Sequence, residues 1–195
     1  TSTFLKGNIP CRIARISFSG ELAFEVYVKS DFANTMMDLL WENAKKYDGC
    51  LYGLEALGAL RVEKGHVTAA ELDGRVTIDD AGLSKMASTK KSYIGSAMRK
   101  RGVLKNNNRE ILVGFFPANL KETFNAGTIV CEKHNIKGQG IGRITSVTYS
   151  PELGHWIGIG FVKGGLDKWK DTTLVGADPL RNKQTNLKVV SPHMI

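Results

Sequence analysis

Cysteine is scarce in this sequence: Cys11, Cys50 and Cys131 are the only three in 195 residues. An odd number at wide spacing does not make a disulfide framework, and points instead to a reducing compartment, expected to be the cytoplasm. No apolar run approaches the roughly 20 residues of a membrane-spanning helix, and no signal-peptide pattern opens the chain. Metal ligation lacks its partners. Cys131 and His134 have a metal-like spacing, but a site needs three or four ligands and no second pair stands near in sequence, so no metal is expected. His66, His155 and His193 are isolated from any Ser or Cys motif that would make one of them a general base. Gly138, Gly140 and Gly142 invite a phosphate-loop reading, but a helix must come after such glycines for their amides to converge on an anion. The strand-like run from Ile144 to Tyr149 stands there instead, so these are expected to be strand and turn glycines. Internal repeats and low-complexity tracts are absent too.

The composition is that of an ordinary globular chain, 42% hydrophobic and 24% charged, long enough to bury a sizeable core as one large or two small domains. The formal charge of +8 favours acidic partners: nucleic acid, anionic lipid or a small polyanion. Much of the positive charge lies between Lys90 and Arg109, with Lys91, Arg99, Lys100, Arg101 and Lys105. Nucleic acid binding needs more than this. Only Tyr93 supplies an aromatic nearby, and no helix-turn-helix, ribonucleoprotein or zinc-finger signature is present, so the run reads as a solvated linker and no nucleic acid partner is expected. The chain starts at Thr1 without Met and runs almost at once into a strand pattern, which hints at a piece of a longer polypeptide.

The stretch from Arg12 to Val28 reads as a hairpin. Ile13, Arg15 and Ser17 alternate with their neighbours before the turn, and Phe24, Val26 and Val28 after it, with Ser19-Gly20 as the turn and Glu21 at the tip. Gly20 can take a positive φ, which leaves the Glu21 carboxylate free to face a pocket or solvent. Ser30-Asp31 offers a cap to a helix running to Lys46, and a second helix is expected from Leu54 to Lys64 with Leu54, Leu57, Leu60 and Arg61 on one face and Gly65 as its C-cap. From His66 to Asp80 periodicity fades and irregular structure is expected, with a short strand at Leu83–Ala87 and a short helix at Ile94–Lys100. Beyond the basic run, six β-rich segments begin at Ile111, Thr128, Gly142, Trp156, Thr172 and Leu187, the pattern of a small barrel or sandwich.

Several motifs in order resemble one family. Ser17-Phe-Ser-Gly-Glu-Leu-Ala-Phe-Glu25 is similar to the Tyr-Thr-Gly-Glu-x-Gly-x-Glu hairpin of the aminomethyltransferase (T-protein) of the glycine cleavage system. Gly53 to Gly65 resembles its helix ending in Leu-Arg-Leu-Glu-x-Gly, Thr77 to Leu83 its Thr-Pro-x-Glu-Ala-Gly-Leu, and Tyr93-Ile-Gly95 its Phe-Ile-Gly. Gly142 to Ser146, Ser150 to Leu153 and Ile157 to Val162 resemble strands of its C-terminal barrel. Glu63-Lys-Gly65, Asp79-Asp80 and Val162-Lys-Gly-Gly165 resemble most the folate-binding C-terminal region of the α subunit of heterotetrameric sarcosine oxidase.

The resemblance implies an α+β fold, a sheet-and-helix portion followed by a C-terminal β-barrel, with residues 1–105 as the C-terminal part of the folate-binding domain and 106–195 as the barrel. It implies tetrahydrofolate as ligand, capture of a one-carbon unit as 5,10-methylenetetrahydrofolate, and FAD, FMN and NAD only on other parts of a full assembly. Partners would be the rest of the α subunit and the other subunits. Glu21 is implied as the pterin-binding carboxylate, with Phe18 and His66 as further folate contacts and no catalytic residue in this chain. A pterin ring offers an amino group and a ring N–H side by side, which one carboxylate can accept together. Two positions depart from the family: Leu57 replaces an arginine, and His66 replaces an aromatic residue. A free-standing aminomethyltransferase is the alternative.

Overall fold

A computed structural model describes residues 2–5, 8–106, 108–136 and 138–195, so Thr1 and Asn107, within the asparagine run, lie outside the described residues. It divides into two units, Thr1–Gly58 and Ala59–Ile195. In the first, β1 (Ser2–Leu5), β2 (Ile9–Ala14) and β3 (Glu25–Val28) form an antiparallel sheet in that order, with Cys11 opposite Val28 and Ile13 opposite Val26. Period-two alternation decides the faces. Ile9 and Cys11 are buried while Pro10 and Arg12 are exposed. Helix α1 (Ala33–Ala44) buries Met36 on the apolar face of this sheet, where Ile9 and Cys11 meet Ile13, Val26, Val28, Phe32 and Leu39.

The hairpin is therefore real, but its tip is not the tight Ser19-Gly20 turn expected. β2 stops at Ala14 and β3 starts at Glu25, so residues 15–24 form a loop, and Arg15 and Ser17 lie outside the ladder. Its local cause is a competing bond: Ser17 Oγ accepts the Gly20 N–H at 2.9 Å, closing a turn of its own. The helix start differs as well. Ser30–Phe32 is a 3₁₀ turn without a side-chain cap, and α1 ends at Ala44 before a second 3₁₀ turn at Lys45–Tyr47. Helix α2 (Leu54–Lys64) has the expected bounds.

The second unit begins within α2, whose buried positions are Val62 and Glu63, while Leu54 is 86% exposed. The expected leucine face is thus not the anchored one. Val62 packs against Ile157 and Ile159, and Glu63 accepts a hydrogen bond from Ser150 Oγ. The helix ends where His66 N–H bonds to Arg61 O at 2.8 Å and Gly65 takes φ +75°, the left-handed closure for which glycine is suited. Residues 66–106 are largely irregular, with a 3₁₀ turn at Ser84–Met86 in place of the short strand expected there, and a one-turn helix α3 (Ser96–Arg99).

Among the described residues, six strands then close a barrel in the order β4 (Glu110–Pro117), β7 (His155–Lys163), β6 (Gly142–Ser150), β5 (Ile129–Cys131), β8 (Thr173–Asp178) and β9 (Lys183–Val190), with β9 returning to β4. Closure removes the exposed strand edges that an open sheet would carry. A short helix, α4 (Gly165–Trp169), comes after β7 and contributes Trp169 to the interior. That interior contains Val113, Phe115, Val130, Ile144, Val162, Leu174, Leu187 and Val189, and burying each side chain of this kind contributes about 1.5–3 kcal/mol for the larger ones. The apolar run Ile157 to Val162 is buried along its whole length. The reason is that the outer face is covered too: Ile157 and Ile159 by Val62, and Phe161 by Val67 and Leu112 with Val76 and Leu83 beside them.

Candidate functional site

The loop at residues 15–24 holds the first candidate group. Gly20 has φ +106°, the positive value expected of it, and the next residue, Glu21, is exposed at the loop surface. Among the described residues the Glu21 carboxylate has no hydrogen-bond or ion-pair partner. The other acid at this hairpin is engaged: Glu25 accepts the hydroxyl hydrogen of Tyr27, and that bond, with smaller help from burial, raises the Tyr27 pKa above its ordinary value. Phe18 is half-buried in the same loop, and Leu22 and Phe24 expose apolar surface beside it, 69% and 58% open. A carboxylate with both oxygens available, next to aromatic and apolar surface, can accept from two adjacent donors on a planar heterocycle.

His66 lies in the second unit, just past the end of α2, and is described there by itself. Burial, with the positive charges of Lys64 and Arg61, holds its pKa below the usual histidine value, and Glu71 only partly offsets this. The neutral ring is therefore the main form at pH 7. Its backbone carbonyl accepts from Arg61 Nη1 at 3.2 Å. Of the three expected site residues, the structure thus puts Glu21 and Phe18 on one loop and His66 in the other unit.

Around His66 is a polar network that sequence reasoning missed. Glu71 is fully buried, and both of its oxygens are occupied. Oε2 accepts from Thr68 N at 2.9 Å, Thr68 Oγ1 at 3.1 Å and Arg61 Nη1 at 3.3 Å, while Oε1 accepts from Ser146 Oγ at 2.6 Å. Arg61 Nη2 donates to the same Ser146 hydroxyl at 2.7 Å. Burial alone would raise the Glu71 pKa, but hydrogen bonds from Ser146 and Thr68 and the charge of Arg61 outweigh it, leaving Glu71 below the ordinary carboxylate range. A saturated, ionised carboxylate of this kind positions backbone and does not accept a substrate proton.

A second acid repeats the motif. Asp80 accepts from Thr77 N and Thr77 Oγ1, both at 2.8 Å, returns its own N–H to Thr77 Oγ1 at 3.2 Å, and is paired with Arg109. Thr68-x-x-Glu71 and Thr77-x-x-Asp80 are both Thr-x-x-acid patterns of the capping-box type, a signal present in the sequence although no long helix comes after either. Next to this, the side chains of Asp79, Tyr93 and Arg99 border a surface cavity of about 660 Å³, lined mostly by Lys, Ser and Thr. Among the described residues no group of three or more His, Cys, Asp or Glu is placed to hold a metal ion, and no helix is long and apolar enough to cross a membrane.

Comparison with known proteins matches residues 2–91 to the family described as the GCVT N-terminal domain and residues 111–195 to the glycine cleavage T-protein C-terminal barrel domain. The sarcosine oxidase subunit alpha of Rhizobium meliloti is 35% identical over 181 residues, which is 91% of this chain and 18% of that protein. A mitochondrial aminomethyltransferase of Mesembryanthemum crystallinum is 30% identical over 96% of this chain and 46% of its own length. The chain therefore spans less than half of each of these relatives. The crystal structure of the glycine cleavage system aminomethyltransferase T from Bartonella henselae superposes on all of this chain and 52% of its own with a TM-score of 0.79. At 21% identity that last likeness speaks for the fold alone.

Proposed function

Because the chain belongs to the glycine cleavage T-protein (aminomethyltransferase) family, we propose that it is the tetrahydrofolate-binding C-terminal region of a sarcosine oxidase α subunit. In this reading a flavin elsewhere in the assembly oxidises the N-methyl group of sarcosine to an imine. The present region holds the tetrahydrofolate that takes up the carbon as 5,10-methylenetetrahydrofolate. FAD, FMN and NAD belong to other parts of the enzyme, as do the catalytic groups, so the region alone is inactive. Residues 1–105 would complete the folate-binding domain and 106–195 form its barrel, and the working compartment is the cytoplasm.

The observation that carries the proposal is Glu21. Its carboxylate is exposed and unpartnered among the described residues, on the loop that corresponds to the family's hairpin glutamate, whereas Glu25 is occupied by Tyr27. That fits the two-donor edge of a pterin. Phe18 supplies a ring on the same loop, and a neutral His66 could stack or hydrogen-bond as the family's aromatic does.

Titration of tetrahydrofolate into the complete subunit assembly tests this, comparing wild type with Glu21→Gln and Glu25→Gln. Glu21→Gln replaces an acceptor oxygen with a donor, so donors would face donors and affinity should fall by about 2–5 kcal/mol. Glu25→Gln should bind as wild type does. Equal affinity in all three proteins would remove Glu21 from the site. A free-standing aminomethyltransferase is the alternative, and the absence of a dinucleotide-binding fingerprint from the gene upstream of Thr1 would favour it.

A further inference from the structure

Residues 88–109 contain seven Lys or Arg and no Asp or Glu, so all but one unit of the chain's formal charge of +8 arises in this segment. Two of the seven are neutralised in place. Arg109 pairs with Asp80, and Arg99 holds Asp79 in a fork, Nε to Oδ2 at 2.7 Å and Nη2 to Oδ1 at 2.6 Å. Ser84 Oγ donates to the same Asp79 oxygen at 2.6 Å. Arg99 is thereby fixed, and its Nη1 donates to Tyr93 Oη at 3.3 Å, which leaves the tyrosine's own hydrogen to be donated elsewhere.

Four of the five remaining cations, all but Arg101, are gathered around one cavity. Lys90, Lys91, Lys100 and Lys105 all line the space of about 660 Å³, together with the hydroxyl residues Ser92 and Ser96, and among the described residues none of the four ammonium groups lies within hydrogen-bond or ion-pair distance of a partner, Lys105 acting on Asp79 only from farther off. Local structure holds two of them there: Ser88 Oγ accepts the backbone N–H groups of both Lys90 and Lys91 at 3.2 Å, forming a Ser-turn that sets this wall. Four ammonium groups around one concavity repel each other, and the one acid among the lining residues, Asp79, is already taken up by Arg99. An anion that entered would relieve that repulsion.

We propose that this cavity binds a small phosphate-bearing ligand. The donor set selects the anion. A carboxylate is best recognised by the planar fork of an arginine, and the fork available here is occupied by Asp79, whereas lysine point charges and freely rotating hydroxyls suit the tetrahedral, multiply charged phosphoryl group. The bounded cavity, lined by one aromatic residue, suits a small ligand and does not offer the run of stacking platforms that a nucleic acid strand uses. The site involves neither Glu21 nor the loop at residues 15–24, so it stands or falls independently of the folate reading.

The experiment is calorimetric titration of inorganic pyrophosphate, inorganic phosphate and citrate into the chain at constant ionic strength, with a single-stranded oligonucleotide as a fourth arm. Pyrophosphate should bind more tightly than phosphate, and both more tightly than citrate. The double substitution Lys90→Gln and Lys100→Gln removes two charge-assisted contacts and should weaken pyrophosphate by about tenfold or more, that is by at least about 1.4 kcal/mol. Lys133→Gln with Lys170→Gln, two exposed lysines that do not line the cavity, should leave binding unchanged, and thermal unfolding of each variant controls for folding. The proposal is overturned if pyrophosphate binds both double variants alike, if citrate binds as tightly as pyrophosphate, or if only the oligonucleotide is retained.

Discussion

Ser146 donates its hydroxyl hydrogen to Glu71 Oε1 at 2.6 Å across 75 residues of sequence. Ser146 stands on β6 at the point where its pairing with β7 slips, between Ile144 and Ser146. A register irregularity of this kind re-aims a side chain, and here a polar side chain is directed to a fully buried carboxylate. Arg61 at the end of α2 completes the contact by bonding both residues. The segment after α2 is thus tied to the barrel by charge as well as by the apolar packing of Val67 and Leu112.

Glu71→Gln should accordingly cost much more stability than its small change in shape suggests. The amide puts an N–H donor where donors already converge, and it leaves the Arg61 guanidinium without its carboxylate in a place largely closed to water. Breaking such a pair from one side costs about 3–5 kcal/mol, while Ser146→Ala, which removes the hydroxyl's bonds to Glu71 and from Arg61 and leaves the ion pair, should cost about 1–3 kcal/mol. Urea unfolding of the two variants against wild type measures both. A loss under about 1 kcal/mol for Glu71→Gln would show that the network is relaxed in solution.

Gly65→Ala should also be severe. At φ +75° an L side chain is strained, and a Cβ at this position would overlap the Pro192 carbonyl oxygen, which is backbone and cannot turn away. Strain in this region costs about 1–3 kcal/mol before the overlap is counted. Gly74→Ala, where a Cβ meets nothing within 4 Å and φ is not positive, is the matched control and should be nearly neutral. Thermal melts of the two proteins should therefore differ by several degrees, with only Gly65→Ala lowered.

The periodicity of the sequence made much of this fold legible. The six β-rich runs are the six barrel strands, and the α2 bounds could be read from the apolar spacing and Gly65. Three kinds of feature could not be read in that way. The loop at residues 15–24 depends on whether Ser17 bonds to Gly20 or joins the ladder, and Ile16 and Phe24 suit either outcome. The buried face of α2 is chosen by what lies against it, so Val62 and Glu63 win over Leu54 although leucine is the more hydrophobic side chain there. Burial of Glu71 and Asp80 depends on arginines and a serine far away in sequence, and only the Thr-x-x-acid spacing signals it. The positive φ at Gly20 was legible from glycine's freedom in a turn, whereas the bond between Glu25 and Tyr27, two residues apart on one face of β3, is one that period-two alternation allows without dictating.

Acid should destabilise the protein in two stages. Glu71 and Asp80 are both held below the ordinary carboxylate range: burial opposes this in each, but hydrogen bonds from Ser146 and Thr68 with the charge of Arg61, and from Arg109 and Thr77, outweigh it. Asp73, held at about 2 by its bonds to Arg75, is too open to solvent to matter much for stability. A carboxyl whose folded pKa lies below its unfolded value, about 3.9 for Asp and 4.3 for Glu, binds fewer protons in the native state than in the unfolded chain at intermediate pH. Its stabilisation is complete above the unfolded value and is lost as pH falls through the folded one. His66 works in the same sense at higher pH, because its depressed pKa means that the unfolded chain, titrating near about 6.5, takes up the proton first. Stability measured by urea unfolding should therefore be flat above about pH 7, decline shallowly below about pH 6.5, and fall steeply below about pH 4.5. His66→Gln should remove the shallow decline only. Asp80→Asn should lower the neutral plateau and make the acid fall less steep. A wild-type curve that stays level from about pH 7 down to about pH 3 would mean that these carboxyls are not ion-paired in the folded protein.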